Sequence, residues 1–392
     1  MNTDLEDNIE KEDDIEKEEG NDDIKSEFPF DPNQININII PRTIGQLVDM
    51  LEYDEILVAK FQRLPNLWNI KQKSRFIESL MLKLPIPLFY FAEQEDDNKN
   101  DKWLVIDGLQ RISTLESFIL GNKKKDKSIS NNKEGFKLEN LEFRTEFNGK
   151  RWDDLPKDIQ RRINTNQVTI NLIGKNTPEA VKYNIFSRIN QGGIQLKPQE
   201  IRTALFQGYR NDFLASLVSE DTPQGKAFIL ATDGSVPIRR QENLDFVTRF
   251  VSFYLLGHEA YEPDMDTFMT QGTKAIPKNK KEQEKIADAF KKAMEVSHAI
   301  FEKNAFRKPI ENDRRKPINK PLFEVISVSF SRLSDENLSV MREKKELFVY
   351  KYEKLFSENK KFLGAISTGT ASKDRVKERH EAFENLINEF KK

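Results

Sequence analysis

The order of apolar and polar positions divides this chain into two kinds of sequence. Residues 34–40, QININII, alternate isoleucine with polar residues, the period of a strand, and Pro41 is expected to stop it. Thr43 is placed to cap a short helix over 44–52, because Ile44, Leu47, Val48 and Leu51 fall on one face. LVAKFQR, 57–63, reads as short and extended. A second amphipathic helix is expected over 69–82, where Ile70, Ile77, Leu80 and Met81 step by 7, 3 and 1. IPLFYFAE, 86–93, reads as a strand behind Pro85 and Pro87, and EDDNKND, 95–101, as a turn. KWLVID, 102–107, is the next strand and runs into a helix over 109–120. Ile112, Leu115 and Ile119 make the buried stripe of that helix, and Gln110 and Arg111 lie off it. Residues 121–135 form a polar loop without periodicity. Short strands follow around 136–152, then a helix at 156–164 and a strand at 167–173. Thr177 and Pro178 open a helix over 177–190 with Val181, Ile185 and Ile189 as its stripe. QGGIQL breaks it, and PQEIRTALFQG starts another.

From about 211 onward nearly every apolar pattern is helical. Leu244, Val247, Val251 and Leu255 make one stripe; Ile286, Phe290 and Met294 another; Val376, Phe383, Leu386 and Ile387 a third. No internal repeat is visible. The fold class is therefore α+β: a mixed-sheet domain over 28–210 followed by an all-α domain over 211–392.

Charge adds a third region. Residues 1–27 hold 13 acids and 3 lysines, a net of −10, so the net of −2 for the 392-residue chain hides a body of 60 basic and 52 acidic residues, or +8. So charged a segment is expected to be a disordered tail, with a DNA-mimicking arm over a basic groove as the functional alternative. A mildly basic body permits a polyanionic partner without demanding one. No run of about 18 apolar residues exists, so no membrane span is expected. The acidic N-terminus lacks the apolar stretch of a secretory signal, and cysteine is absent, which excludes disulfides, cysteine nucleophiles and thiolate metal sites. A cytoplasmic protein is expected. The 3 histidines, His258, His298 and His380, are 40 and 82 positions apart, and no two share a helix turn. That spacing offers no histidine-rich zinc motif and no histidine-metal nuclease finger.

The strand-to-helix junction in WLVIDGLQRISTL, 103–115, carries residues that a plain helix start does not need. A helix N-terminus presents free N–H groups and partial positive charge, a site for phosphate. Gly108 removes the side chain at closest approach, and Arg111, one turn in, has the fork to clamp a phosphate. Asp107 is placed to hold Mg²⁺ or position a water; Gln110 is placed to orient a water or read a base or ribose. The plain alternative is a corner with Asp107 as its cap. KFQRLPNLW, 60–68, adds Gln62 and Arg63 ahead of a helix, and FSRINQGGIQLKPQEIRTAL, 186–205, adds Arg188 and Asn190 before Gly192-Gly193. Capping explains Arg188 and Asn190 equally well, and Glu200 with Arg202 reads as a helix-surface ion pair. Trp68 and Trp103 read as core or rim packing, and the lysines at 123–125 as a solvated loop.

Taken in series, FQRLPNLW, FIESLMLKLPIPLFYF, WLVIDGLQRISTL and FSRINQGGIQLKPQEIRTALF resemble the N-terminal domain of the GmrSD-type modification-dependent restriction enzymes, over roughly residues 35–210. Weaker echoes continue in LDFVTRFVSFYLLG and NAFRKPI…INKPLFEVI, which resemble the helical extension of many members. The resemblance implies a ParB/sulfiredoxin-like fold and a pocket that binds and hydrolyses a nucleoside triphosphate. It implies catalytic roles for Asp107, Gln110 and Arg111, binding roles for Gln62, Arg63, Gly108, Arg188 and Asn190, and Mg²⁺ at Asp107. The family's usual Asp-Gly-Gln-Gln-Arg is here Asp107-Gly108-Leu109-Gln110-Arg111, so one amide side chain is replaced by leucine. Two-part members also carry a histidine–asparagine–histidine nuclease, whose spacing the histidines here do not match. The expected function is a nucleotide-binding and hydrolysing subunit of a prokaryotic antiviral restriction system, acting on DNA with a separately encoded nuclease. The alternatives are a non-hydrolysing nucleotide- or DNA-binding adaptor and a weak DNA nickase. The preferred base, the sensing of modified DNA and the oligomeric state leave no mark in the sequence.

Overall fold

The computed structural model describes residues 15–16, 36–57, 68–95, 101–121, 135–178, 181–182, 185, 189, 197–206, 208–310 and 315–391. The chain divides into two compact units, one of Phe30–Leu196 with Thr203–Leu205, the other of Met1–Pro29, Lys197–Arg202 and Phe206–Lys392.

The first unit is mixed α/β. In chain order it holds β1 (Ile37–Thr43), α1 (Ile44–Glu52), β2 (Ile56–Leu57), α2 (Ile70–Met81), β3 (Phe89–Glu95), β4 (Asp101–Asp107), α3 (Leu109–Leu115), α4 (Lys157–Asn164) and β5 (Gln167–Ile173). The strands form one sheet in the order β1-β5-β3-β4-β2. β1 pairs antiparallel with β5, β5 parallel with β3, β3 antiparallel with β4, and β4 parallel with β2. α1 begins at the expected cap: Thr43 accepts from the Gln46 N–H, and the Gln46 side chain reaches back to the Thr43 N–H. Asn69 and Gln72 repeat the device at α2. The four apolar residues of the α1 face join Phe89, Phe91, Val105, Ile112, Leu115 and Ile170 in one core.

Two expectations fail in this unit. The first strand does not stop at Pro41 but runs to Thr43, with Pro41 opposite Thr169. β1 is an edge strand with one neighbour, so a missing N–H costs no ladder bond on its open side. The short strands expected around 136–152 are turns instead, with 3₁₀ helices at Thr145–Phe147 and Trp152–Asp154. The reason lies in Glu78 of α2. Its carboxylate accepts from the backbone N–H groups of Glu142, Phe143 and Arg144 at 2.7–3.1 Å, and Asn148 Oδ1 takes that of Leu141 at 3.0 Å. Donors satisfied by side chains are not available to a ladder.

α5 (Pro198–Leu205) is divided between the units, its residues up to Arg202 counting with the second and Thr203–Leu205 with the first. The rest of the second unit is helical: α6 (Tyr209–Ser216), α7 (Pro223–Ala231), α8 (Glu242–Leu256), α9 (Met265–Ala275), α10 (Lys280–Phe301), α11 (Lys320–Ser331), α12 (Asp335–Glu343), α13 (Lys345–Glu358), α14 (Lys360–Ala365) and α15 (Lys373–Asn388). Its core is aromatic, with Phe323 edge-on to Phe246 and Phe306, and Phe250 tilted on Phe290. α11 is buried from Pro321 to Ser331, Glu324 included. Glu324 is tolerated there because Arg379 meets it as a fork, Nε and Nη2 each 2.8 Å from a carboxylate oxygen.

Glu200 and Arg202 are not a surface pair. Arg202 is 1% exposed and donates to Gln199, Asp245 and Asp266, whereas Glu200 accepts from Arg240. The expected disorder of residues 1–27 falls almost wholly outside the described residues. Ile15 and Glu16 are described, and both are docked: Ile15 bridges Ile318, and Glu16 meets Lys308 and Asn319 at 2.6 and 3.1 Å. No helix among the described residues is long and apolar enough to cross a membrane.

Candidate functional site

β4 ends at Asp107 because the next residue cannot continue a strand. Gly108 has φ +98° and ψ 11°, a left-handed conformation that a side chain disfavours, and α3 starts at Leu109. No side chain caps this helix start. The helical path continues past Leu115 as a π-helical turn over Glu116–Leu120. Across the ladder β3 carries an irregularity between Tyr90 and Phe91, with Tyr90 opposite Asp107. Bulges of this kind re-aim side chains at the end of a strand.

Gly108 is required by its own surroundings. A Cβ there would lie 2.6 Å from the Phe89 ring and 3.2 Å from Arg111 Nη2. The glycine therefore lets Phe89 and Arg111 close over the junction, whatever else approaches its backbone.

Arg111 departs from expectation: it is buried, 7% exposed, and does not lie free on the helix surface. The turn that carries it packs against the start of β3. Its guanidinium stacks on Phe89 at 4.4 Å and donates to the Pro87 and Leu88 carbonyls and, at 2.9 Å, to Asp107 Oδ2. Burial pulls the guanidinium below its ordinary pKa, and the Asp107 carboxylate opposes that pull. The periodicity gave no sign of the Leu88 and Phe89 contacts. The nearest signal was Pro85 and Pro87, which lack N–H groups and keep 84–88 out of helix and ladder, so that these carbonyls take a donor from elsewhere.

Asp107 is the open member of the set, its side chain 39% exposed. One carboxylate oxygen is fixed by Arg111, and among the described residues the other has no hydrogen-bond partner. Gln110 is half-buried, and its Oε1 accepts from the Trp68 N–H at 3.3 Å. Trp68 packs edge-on to Phe76, and Trp103 packs on Phe91, as the packing reading expected. Gln110 thus holds the backbone of Trp68 just ahead of α2. Gln62, Arg63, Arg188, Asn190 and the lysines at 123–125 lie outside the described residues.

The junction so assembled has uncapped helix amides, a carboxylate held by one oxygen, and a buried arginine that fixes that carboxylate. Such a set suits an anion at the amides and a hard cation at Asp107, because Mg²⁺ is commonly held by one or two carboxylates together with substrate phosphates.

Residues 44–207 match the family model of the GmrSD restriction endonuclease, N-terminal domain. The match takes in β4, the junction and α3, and ends before most of the helical unit. No curated protein matches the chain.

Proposed function

We propose that this chain, which carries a GmrSD restriction endonuclease N-terminal domain over 44–207, is a nucleotide-binding component of a restriction-type defence system that acts on DNA with a separate nuclease. The observation that carries the reading is the family match together with the half-exposed Asp107 beside uncapped helix amides. In this reading the α3 amides take phosphate oxygens, and the outward oxygen of Asp107 faces the metal that accompanies them. Mg²⁺ would neutralise charge on the phosphates; positioning and charge neutralisation are what phosphoryl transfer chiefly needs. Gln110 fixes the Trp68 backbone beside the junction, and Arg111 positions Asp107 rather than gripping the ligand itself.

The buried Arg111, with both terminal nitrogens engaged, also favours a second reading, an adaptor that binds nucleotide without hydrolysing it, since its fork is not turned to meet developing charge. Phosphate release from each nucleoside triphosphate with Mg²⁺, beside calorimetry of the same mixtures, separates the two. Hydrolysis that Asp107→Asn abolishes supports the enzyme; saturable binding without phosphate release supports the adaptor. An absence of binding at millimolar nucleotide, or binding indifferent to Asp107→Asn, removes the assignment of this junction. Efficient cleavage of plasmid DNA by the chain alone would remove the separate nuclease.

A further inference from the structure

Two of the three histidines that stand far apart in the sequence are brought together in the helical unit. α8 ends at Gly257, whose φ of +79° turns the chain so that His258 leaves the helix axis. Tyr261, three residues on, donates from its hydroxyl to the Ala371 carbonyl at 2.6 Å, which fixes this segment beside the start of α15. On α15, His380 and Glu384 are i and i+4 and so share one face. The His258 and His380 rings stack with centroids 4.5 Å apart and planes 10° apart. One ligand atom from each of His258, His380 and Glu384 lies within 4.8 Å of the other two.

Each imidazole turns Nε2 to a carboxylate. His380 Nε2 lies 3.0 Å from Glu324 Oε1, and His258 Nε2 lies 3.7 Å from Glu259 Oε1. Arg379 meets the Glu324 carboxylate as a fork, with Nε and Nη2 each 2.8 Å from an oxygen. A carboxylate can only accept, so His380 Nε2 carries the proton and Nδ1 keeps its lone pair. His258 has a side chain only 8% exposed, and its Nδ1 is buried without a hydrogen-bond partner. A buried polar atom left unpaired is costly, and such an atom in a native fold calls for a partner. The carboxylate–histidine pair of Glu324 and His380 has the form that commonly stands behind a metal ligand.

We propose that His258, His380 and Glu384 form a binding site for a divalent first-row transition metal ion such as Zn²⁺, with Glu324 orienting His380. Two imidazoles and a carboxylate are a known zinc ligand set, with the fourth position completed by water. An imidazole binds in its own plane, so the ion turns the rings out of their parallel stack by side-chain rotation while the helices stay in place. The ion then ties the end of α8 to α15. This site lies outside the matched residues 44–207 and stands whether or not the 107–111 junction binds nucleotide.

The test uses the full chain, stripped with chelator and titrated with Zn²⁺ by calorimetry, and with Co²⁺ by visible absorption. The expected result is one ion per chain, with intense tetrahedral-type Co²⁺ bands. His258→Ala and Glu384→Gln should each weaken binding by at least about tenfold, given that even residues behind the ligands change affinity 10- to 100-fold. His298→Ala should bind as the parent does, since His298 is not among these ligands. Far-UV circular dichroism establishes folding; Glu384→Gln, at a half-buried position, keeps the test alive if His258→Ala unfolds. No saturable binding, binding unchanged in a folded His258→Ala or Glu384→Gln, or loss only in His298→Ala would overturn the proposal.

Discussion

Removing the Arg111 side chain would leave the Pro87 and Leu88 carbonyls and the Asp107 carboxylate without their donor. Buried groups stripped of a charged partner cost roughly 1.5–3 kcal/mol. Arg111→Ala should therefore lower the melting temperature of the protein as well as any affinity for nucleotide. Arg111→Lys, which restores the charge but not the fork, should recover only part of the stability. Thermal unfolding of both variants decides the matter, and an Arg111→Ala protein as stable as the parent would mean that the arginine is free to serve a ligand. Gly108 is the second residue on which the junction turns. A methyl there meets Phe89 at 2.6 Å and forces a left-handed backbone on an L-residue. Gly108→Ala should cost roughly 1–3 kcal/mol from overpacking alone. Phe89→Leu in the same chain should relieve the crowding but not the backbone strain, so the double variant should be less destabilised than the sum of the two single ones.

Within the α/β unit, α2 holds the turns at 142–144 through a single carboxylate. Burial pushes the Glu78 carboxyl up, but the three backbone N–H groups and the Arg75 charge outweigh it, so its pKa is held below the usual value. A depressed folded-state pKa stabilises the fold above the unfolded value, about 4.3, and the gain is lost as pH falls through the folded value. Glu78→Gln should thus be less stable than the parent at pH 7 by about 1–3 kcal/mol. The gap should narrow steadily once the pH drops below about 4, where the parent carboxylate takes up its proton on unfolding. Denaturant unfolding across that range measures it; a gap that does not change with pH would show that charge plays no part. Glu78 also shows where the sequence stopped being legible. The apolar faces of α1 and α2, their caps and the strand β4 follow from local periodicity, because neighbours within a turn or a ladder set them. A glutamate on the nominally polar side of α2 gives no hint that a loop more than sixty residues later will fold over it. Arg202 and Asp245, or His258 and His380, pose the same difficulty: their partners are chosen by tertiary packing between distant helices. At the candidate site the acid, glycine, amide and arginine were readable as a group from 107 to 111. That the arginine faces inward was not readable, since its acceptors are backbone carbonyls of residues 87 and 88, and backbone carbonyls have no sequence signature.

At the scale of the whole chain the separation of charge matters more than the total. The chain carries −2, residues 1–27 carry −10, and the remainder carries +8. A DNA-binding surface on such a body would compete with the acidic segment for its cations, and the described part of that segment is engaged with one: Glu16 meets Lys308 at 2.6 Å, and Ile15 lies along Ile318. Deleting residues 1–27 should have two effects that separate by their salt dependence. Loss of the Ile15 and Glu16 contacts should lower stability slightly, by about 1 kcal/mol or less, because a partly exposed ion pair is weak. Removal of ten net negative charges should tighten DNA binding, and most strongly at low ionic strength. The Debye length is about 30 Å at 0.01 M salt and about 8 Å near 0.15 M, so an effect of net charge alone fades between the two. Glu16→Ala keeps nearly all of the acidic charge and removes the docked one. If the segment acts through its net charge alone, Glu16→Ala should bind DNA like the parent while the deletion binds more tightly. If docking at Lys308 is what shields the body, Glu16→Ala should recover much of the effect of the deletion, and should do so at physiological salt. Fluorescence anisotropy with one labelled duplex at both salt concentrations distinguishes the two. DNA affinity that is equal in all three proteins at low salt would show that the acidic segment does not oppose DNA at all, and that the +8 of the body is spread over surfaces that never meet it.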